Sequence, residues 1–215
     1  MDGARAVPSP AHIVLRESTR AAHEAAEDSP AMRRLLAGEL GETGYLGLLG
    51  AHWDLFRDWE EQRGRWLMGH VADAGWRYLS RASRLAMDIH GACSVNEPLK
   101  RRKVLDSGLP AAAGSPAAAG SHKAALLHEA WGELYVIEGS ALGGRVIVKR
   151  LRERFPTLSH HFYAIGENAD EPWPRFQSVL DRELTDRAAL QSAVAGALRM
   201  FARFHQTLQD DAPHV

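Results

Sequence analysis

LYVIEGSALGGRVIVKRL, residues 134–151, is the stretch whose reading decides the fold. Its apolar residues Leu134, Ile137, Ala141, Val148 and Leu151 recur at three- and four-residue steps, the period of a helix with one buried stripe. Yet Gly139, Gly143 and Gly144 sit in its middle. Each glycine costs a helix interior about 0.5–1 kcal/mol relative to alanine. Something that needs bare backbone must offset that cost. Either another helix packs very closely, or a flat ligand lies against the main chain while the helix bends.

Working outward, the same helical period governs the rest of the 215 residues, and strand-like alternation is absent. The predicted fold is all-α. A helix is predicted over 13–28, with Leu15, Thr19, Ala22, His23 and Ala26 on one stripe. Asp28-Ser29-Pro30 ends it and begins a short helix, with Ser29 as N-cap and Pro30 at N1. A third helix starts near Thr43 and puts Tyr45, Leu48, Leu49, His52, Trp53 and Phe56 on a core face. A fourth is expected over 73–89, with Trp76, Leu79 and Leu85 inward. The central helix is expected from about 123 to 155. After it come a short piece (158–166), a Trp/Pro-rich turn (172–174) and a final helix pair (about 174–183 and 185–209).

In domain terms, residues 1–11 read as a disordered leader and 12–210 as one helical domain. The Ala/Gly/Pro/Ser-rich region 92–121 reads as a mobile loop inside that domain. A net charge of −1 argues against non-specific nucleic-acid or membrane-surface binding. The lone Cys93 excludes an intramolecular disulfide and any zinc site built from several cysteines. No secretory h-region and no spanning apolar run is present, so a cytoplasmic protein is expected.

Common catalytic signatures are missing: there is no phosphate-binding glycine loop, no His-Glu-x-x-His and no nucleophile elbow. The adjacent pairs His160-His161 and His128-Glu129 point to different helix faces and read poorly as metal sites. His23 differs. It lies on the apolar stripe of the first helix, one turn before Glu27. A lone histidine there can be a core residue. It can also be the fifth ligand of a porphyrin iron, since the macrocycle supplies four and Glu27 can fix the tautomer.

Two motifs then carry a family resemblance. LRESTRAAHEAAE (15–27) resembles the proximal-helix motif of heme oxygenases, and LYVIEGSALGG (134–144) resembles their distal-helix motif, in particular the bacterial branch. The order and separation of the two fit the family from about 13 to 209. The resemblance implies a single-domain heme-oxygenase-like helical bundle, with heme (haem b, iron protoporphyrin IX) sandwiched between a proximal helix and a kinked glycine-rich distal helix. It implies oxidative cleavage of heme to biliverdin, with release of iron and carbon monoxide, using O2 and external electrons. The alternative is a non-catalytic heme or tetrapyrrole carrier or sensor.

Residue by residue, the resemblance makes His23 the iron ligand and Glu27 the acid beneath it. Gly139, Ser140, Gly143 and Gly144 match the segment over the oxygen-binding face. Arg16 and Tyr135 match residues that hold the heme propionates, and Arg175 is nominated to join that edge. Ser140 stands where the mammalian-type branch has an aspartate that organises proton-delivering water. A hydroxyl can hold a water but carries no charge. The implied partners are a ferredoxin or an NADPH-linked reductase as electron donor, with a phytochrome as a candidate acceptor of biliverdin. The basic run Lys149, Arg150, Arg152 and Arg154 is either a solvated helix end or a docking face for an acidic donor.

Overall fold

The computed structural model describes residues 9–93, 116–167 and 173–209. These residues form helices and turns, with no strand among them. Most of the leader and of the low-complexity region lies outside the described residues. In chain order the helices are α1 (Ala11–Glu27), α2 (Pro30–Ala37), α3 (Glu42–Trp66), α4 (Arg81–Cys93), α5 (Pro116–Arg154), α6 (Trp173–Glu183) and α7 (Arg187–Gln209). A short 3-10 turn, Tyr163–Gly166, lies between α5 and α6.

α7 is the floor of the molecule, with α5 and α1 both packed along it. The α5–α7 crossing is set by main chain rather than side chains. A Cβ built on Gly132 would stand 1.7 Å from the Ala193 carbonyl oxygen, and one on Gly196 would stand 2.0 Å from that of Glu129. Against this pair the core closes with Leu15, Phe56, Leu134, Ile137, Val148, Phe176 and Leu180, all essentially solvent-free. Each such side chain contributes about 1.5–3 kcal/mol relative to its exposed state.

The stripes expected on α1, α3 and α5 are buried or, at Ala22, Ala26, Trp53 and Ala141, partly buried, with exposed His23 as the exception described below. Ser29 and Pro30 open α2 as expected, although the buried Ser29 hydroxyl makes no capping bond. The fourth helix departs from expectation. α3 runs on through a π-helical turn, Leu67–Val71, and ends at Gly75, whose φ of +85° no β-carbon-bearing residue adopts readily. Residues 76–80 are non-helical, and α4 begins only at Arg81.

The device that restarts the chain is Glu60 on α3. Its carboxylate accepts the Arg81 amide at 2.7 Å and the Ala82 amide at 3.1 Å, so a distant acid does the work of an N-cap. It also accepts the hydroxyls of Tyr78 (2.8 Å) and Ser80 (2.7 Å). Trp76 and Leu85 are still buried, from an extended segment and a helix respectively. Two further boundaries move. α5 begins at Pro116, inside the region read as loop, and Trp173-Pro174 form the first positions of α6 rather than a turn. Proline is tolerated in a first helical turn because the amide it lacks has no partner there.

Candidate functional site

The site grows from the place where α1 meets α5. Thr19, 2% exposed, donates its hydroxyl proton to the Leu15 carbonyl at 2.8 Å. Its oxygen is hydrogen-bonded to the phenol of Tyr135 on α5. Burial pushes the Tyr135 phenol above its ordinary value, while the Thr19 bond and the positive charge of Arg16 act in the opposite direction. Arg16, Thr19 and Tyr135 thus form one polar edge at the junction of the two helices.

One turn beyond Thr19 on α1 stands His23, and one turn beyond Tyr135 on α5 stands Gly139. His23 is the member of the α1 stripe that the fold does not bury: its side chain is 57% exposed. Its Nδ1 faces Glu27 Oε2 at 3.5 Å, which leaves Nε2 as the outward ring nitrogen. Beneath it, the edge of the imidazole meets Phe201 of α7, with ring centroids 5.8 Å apart and planes at 76°. An exposed histidine held between an acid and an aromatic ring is oriented without being consumed by the core.

Beyond the polar edge, α5 carries a bare face. A Cβ on Gly143 would meet nothing within 4 Å, and one on Gly139 would only touch the Trp173 ring at 3.4 Å. Leu142 and Val146, 43% and 60% exposed, continue this apolar surface. Trp173 closes one end of it, with its ring centroid 5.6 Å from that of Tyr135. The Ser140 hydroxyl is exposed and bonds back to the Ile137 carbonyl at 2.7 Å, so its proton is used while its lone pairs stay available.

One expected site residue faces elsewhere. Gly144 is buried and faces away from the bare surface: a Cβ built on it would stand 2.8 Å from the Tyr163 carbonyl oxygen, so it serves packing against the 3-10 turn. Arg175 donates to the Gly75 carbonyl at 3.1 Å, which ties α6 to the end of α3. Trp173 and Phe201 emerge as walls. Trp173 could be found only from three-dimensional neighbours, whereas Phe201 lies on a recognisable helix.

Two buried histidines have structural partners. His160 Nε2 faces the Phe155 carbonyl at 3.1 Å, which can only accept, so Nδ1 accepts the Tyr45 hydroxyl at 2.9 Å. Buried His52 donates Nδ1–H to the Leu48 carbonyl at 2.9 Å. Burial lowers the affinity of both rings for a second proton. No cluster of three or more His, Cys, Asp and Glu able to hold a metal ion forms among the described residues. One exposed, oriented imidazole suits a metal that brings its other ligands with it, and a bare glycine face suits a flat one.

Comparison with known proteins gives the same direction. The heme oxygenase family model matches residues 10–210. A heme oxygenase of Xanthomonas campestris pv. campestris (strain 8004) is 38% identical over 183 residues, covering 84% of this chain and 98% of that protein. The structure of heme oxygenase from Leptospira interrogans superposes with a TM-score of 0.66 at 20% identity, covering 94% of this chain and 99% of that one, a likeness of fold.

Proposed function

The chain belongs to the heme oxygenase family, and we propose that the slot between α1 and α5 is where it binds and opens heme. As a family member it is a heme-degrading oxidoreductase, with heme as both cofactor and substrate and with O2 and an electron donor as co-reactants. The observation that carries the site assignment is the pairing of exposed, acid-oriented His23 with the bare Gly139–Gly143 face one turn beyond a shared polar edge.

In this reading His23 offers Nε2 to the iron. Glu27 accepts from Nδ1–H, fixing the tautomer and raising the basicity of the ligating nitrogen. Arg16 and Tyr135 hold the propionates, the guanidinium as a fork and the phenol by turning its one proton from Thr19 to the carboxylate. Gly139 and Gly143 leave room above the ring that any side chain would fill, and Trp173 limits how far the ring can slide. Heme bound there supplies the activation of O2 at the porphyrin edge. Ser140, its own proton committed to Ile137, accepts a hydrogen bond from a water over that face and orients it for proton delivery. The products are biliverdin, iron and carbon monoxide.

Electrons come from a ferredoxin or an NADPH-linked reductase, and the basic end of α5 is the docking candidate. Arg152 is paired with Glu167 at 2.7 Å and Arg150 donates to the Leu36 carbonyl, so Lys149 is the better-placed contact. A phytochrome as acceptor of the bilin, and work in the cytoplasm where such donors are kept reduced, complete the reading. No helix among the described residues is long and apolar enough to cross a membrane.

The test is heme titration followed by aerobic turnover with reductant and chromatography of the product. A histidine-ligated spectrum that decays to biliverdin is expected. Intact heme recovered after turnover conditions would indicate a carrier instead.

A further inference from the structure

Behind the bare face of α5 lies a buried ion pair that the heme chemistry above does not use. Arg81, the first residue of α4, is 2% exposed, and its Nη2 donates to Glu138 Oε2 at 2.8 Å. Glu138 is 8% exposed and immediately precedes Gly139 in sequence. The guanidinium is itself held rigidly. Nη1 donates to the Leu79 carbonyl at 2.7 Å, the Tyr78 ring lies 5.1 Å beneath it, and the Arg81 amide is fixed by Glu60 of α3 at 2.7 Å. A continuous chain of polar contacts therefore runs from α3 through residues 78–82 to the residue before the first glycine of the slot.

Such a pair is a poor way to add stability, because desolvating two charges offsets much of their attraction and an apolar pair would pack as well. What it supplies is direction. Six residues beyond Glu138, α5 is locked to the 3-10 turn by close main-chain approach: a Cβ built on Gly144 would stand 2.8 Å from the Tyr163 carbonyl oxygen, and one on Gly166 would stand 2.3 Å from that of Ala141. The glycine-bearing stretch is thus held at both ends, while neither Gly139 nor Gly143 adds a side chain to anchor it.

We propose that Arg81 is a positioning residue: through Glu138 it fixes the rotation of α5 above the heme slot and so determines which edge of the macrocycle is presented for opening. The proposal rests on the assignment of the slot to heme. Removing one charge alone would strand the other, so the informative variant is Arg81→Met combined with Glu138→Met. In the heme-free protein, amide exchange over residues 139–143 should accelerate about tenfold or more, with the unfolding midpoint little changed. After turnover, biliverdin isomers that are minor in the wild type should rise several-fold, while heme affinity stays within about threefold. Unchanged exchange over 139–143, or an unchanged isomer ratio in a variant that turns over, overturns the proposal. If the double variant does not fold, Arg81→Lys serves: it keeps the charge but loses the second bond to Leu79, and the same two readouts decide. A wild-type protein that fails to turn over heme sinks the functional reading, and the exchange experiment on the heme-free protein still decides this one.

Discussion

Gly143→Ala and Gly144→Ala are the same chemical change on adjacent residues of one helix, and they should act with opposite sign on stability. At Gly143 the new methyl meets nothing within 4 Å, so the helix gains only the propensity difference, about 0.5–1 kcal/mol in favour of alanine. For a chain of this length that corresponds to a rise of roughly 1–4 °C in the midpoint of the heme-free protein. At Gly144 the methyl would lie 2.8 Å from the Tyr163 carbonyl, a main-chain atom that cannot swing away. Overpacking of this kind costs about 1–3 kcal/mol, and the propensity gain offsets only part of it, leaving a net loss of about 1–2 kcal/mol. Heme binding should split the pair in the other direction. With heme on that bare face, as proposed, the Gly143 methyl would crowd it, and the same overpacking range corresponds to an affinity weaker by roughly 5- to 150-fold. Gly144→Ala, once folded, should bind heme much as the wild type does. Thermal denaturation of the heme-free variants and heme titration at one temperature measure both effects. A Gly143→Ala protein that melts below the wild type, or binds heme as tightly, would refute the placement of these two glycines.

Other perturbations follow from the same geometry. His23→Ala should abolish the histidine-ligated heme spectrum while leaving the fold intact, because the ring is 57% exposed and touches little beyond Phe201; an unaltered spectrum would put the ligand elsewhere. His52 is buried with its proton affinity lowered from 6.5, so below that pH the unfolded chain takes up a proton that the native ring resists. Stability should therefore fall as pH drops through 6.5, by up to about 1.4 kcal/mol per unit from this group, and His52→Phe should flatten the urea-midpoint profile. An identical slope in that variant would exclude His52 as the source. Glu60→Ala strands the first amides of α4 and two hydroxyls, and it should cost about 2–4 kcal/mol in denaturant unfolding; a loss below about 1 kcal/mol would mean that water replaces it.

What could be read without coordinates was whatever repeats at the helical period or sits one turn away. The stripes of α1, α3 and α5, the stop at Asp28-Ser29-Pro30, and the approach of His23 to Glu27 are all of that kind. The start of α4 was not, because its cap is Glu60, more than twenty residues back on another helix. Nor could adjacency in sequence separate Gly143 from Gly144: one faces open space and the other the Tyr163 main chain, and only the position of the 3-10 turn decides which. Arg175 has a partner that no local pattern announces, since the Gly75 carbonyl that takes its proton lies a hundred residues away. Arg81 and Glu138 show no local pattern at all, being an arginine and a glutamate on separate helices that become partners only when α4, packed on α3, brings its first residue to α5.

The two glycine contacts between α5 and α7 also act as a gauge. Peptide atoms touch peptide atoms at Gly132–Ala193 and Gly196–Glu129, so the height of α5 above the floor cannot be trimmed by exchanging side chains. The opposite jaw, α1, rests on α7 through side chains, among them the His23 and Phe201 rings. The slot therefore has one jaw of fixed height and one that can be shimmed. A bulkier or differently substituted macrocycle would be accommodated by altering residues under α1, and substitutions under α5 would be expected to break the enzyme before they resized it.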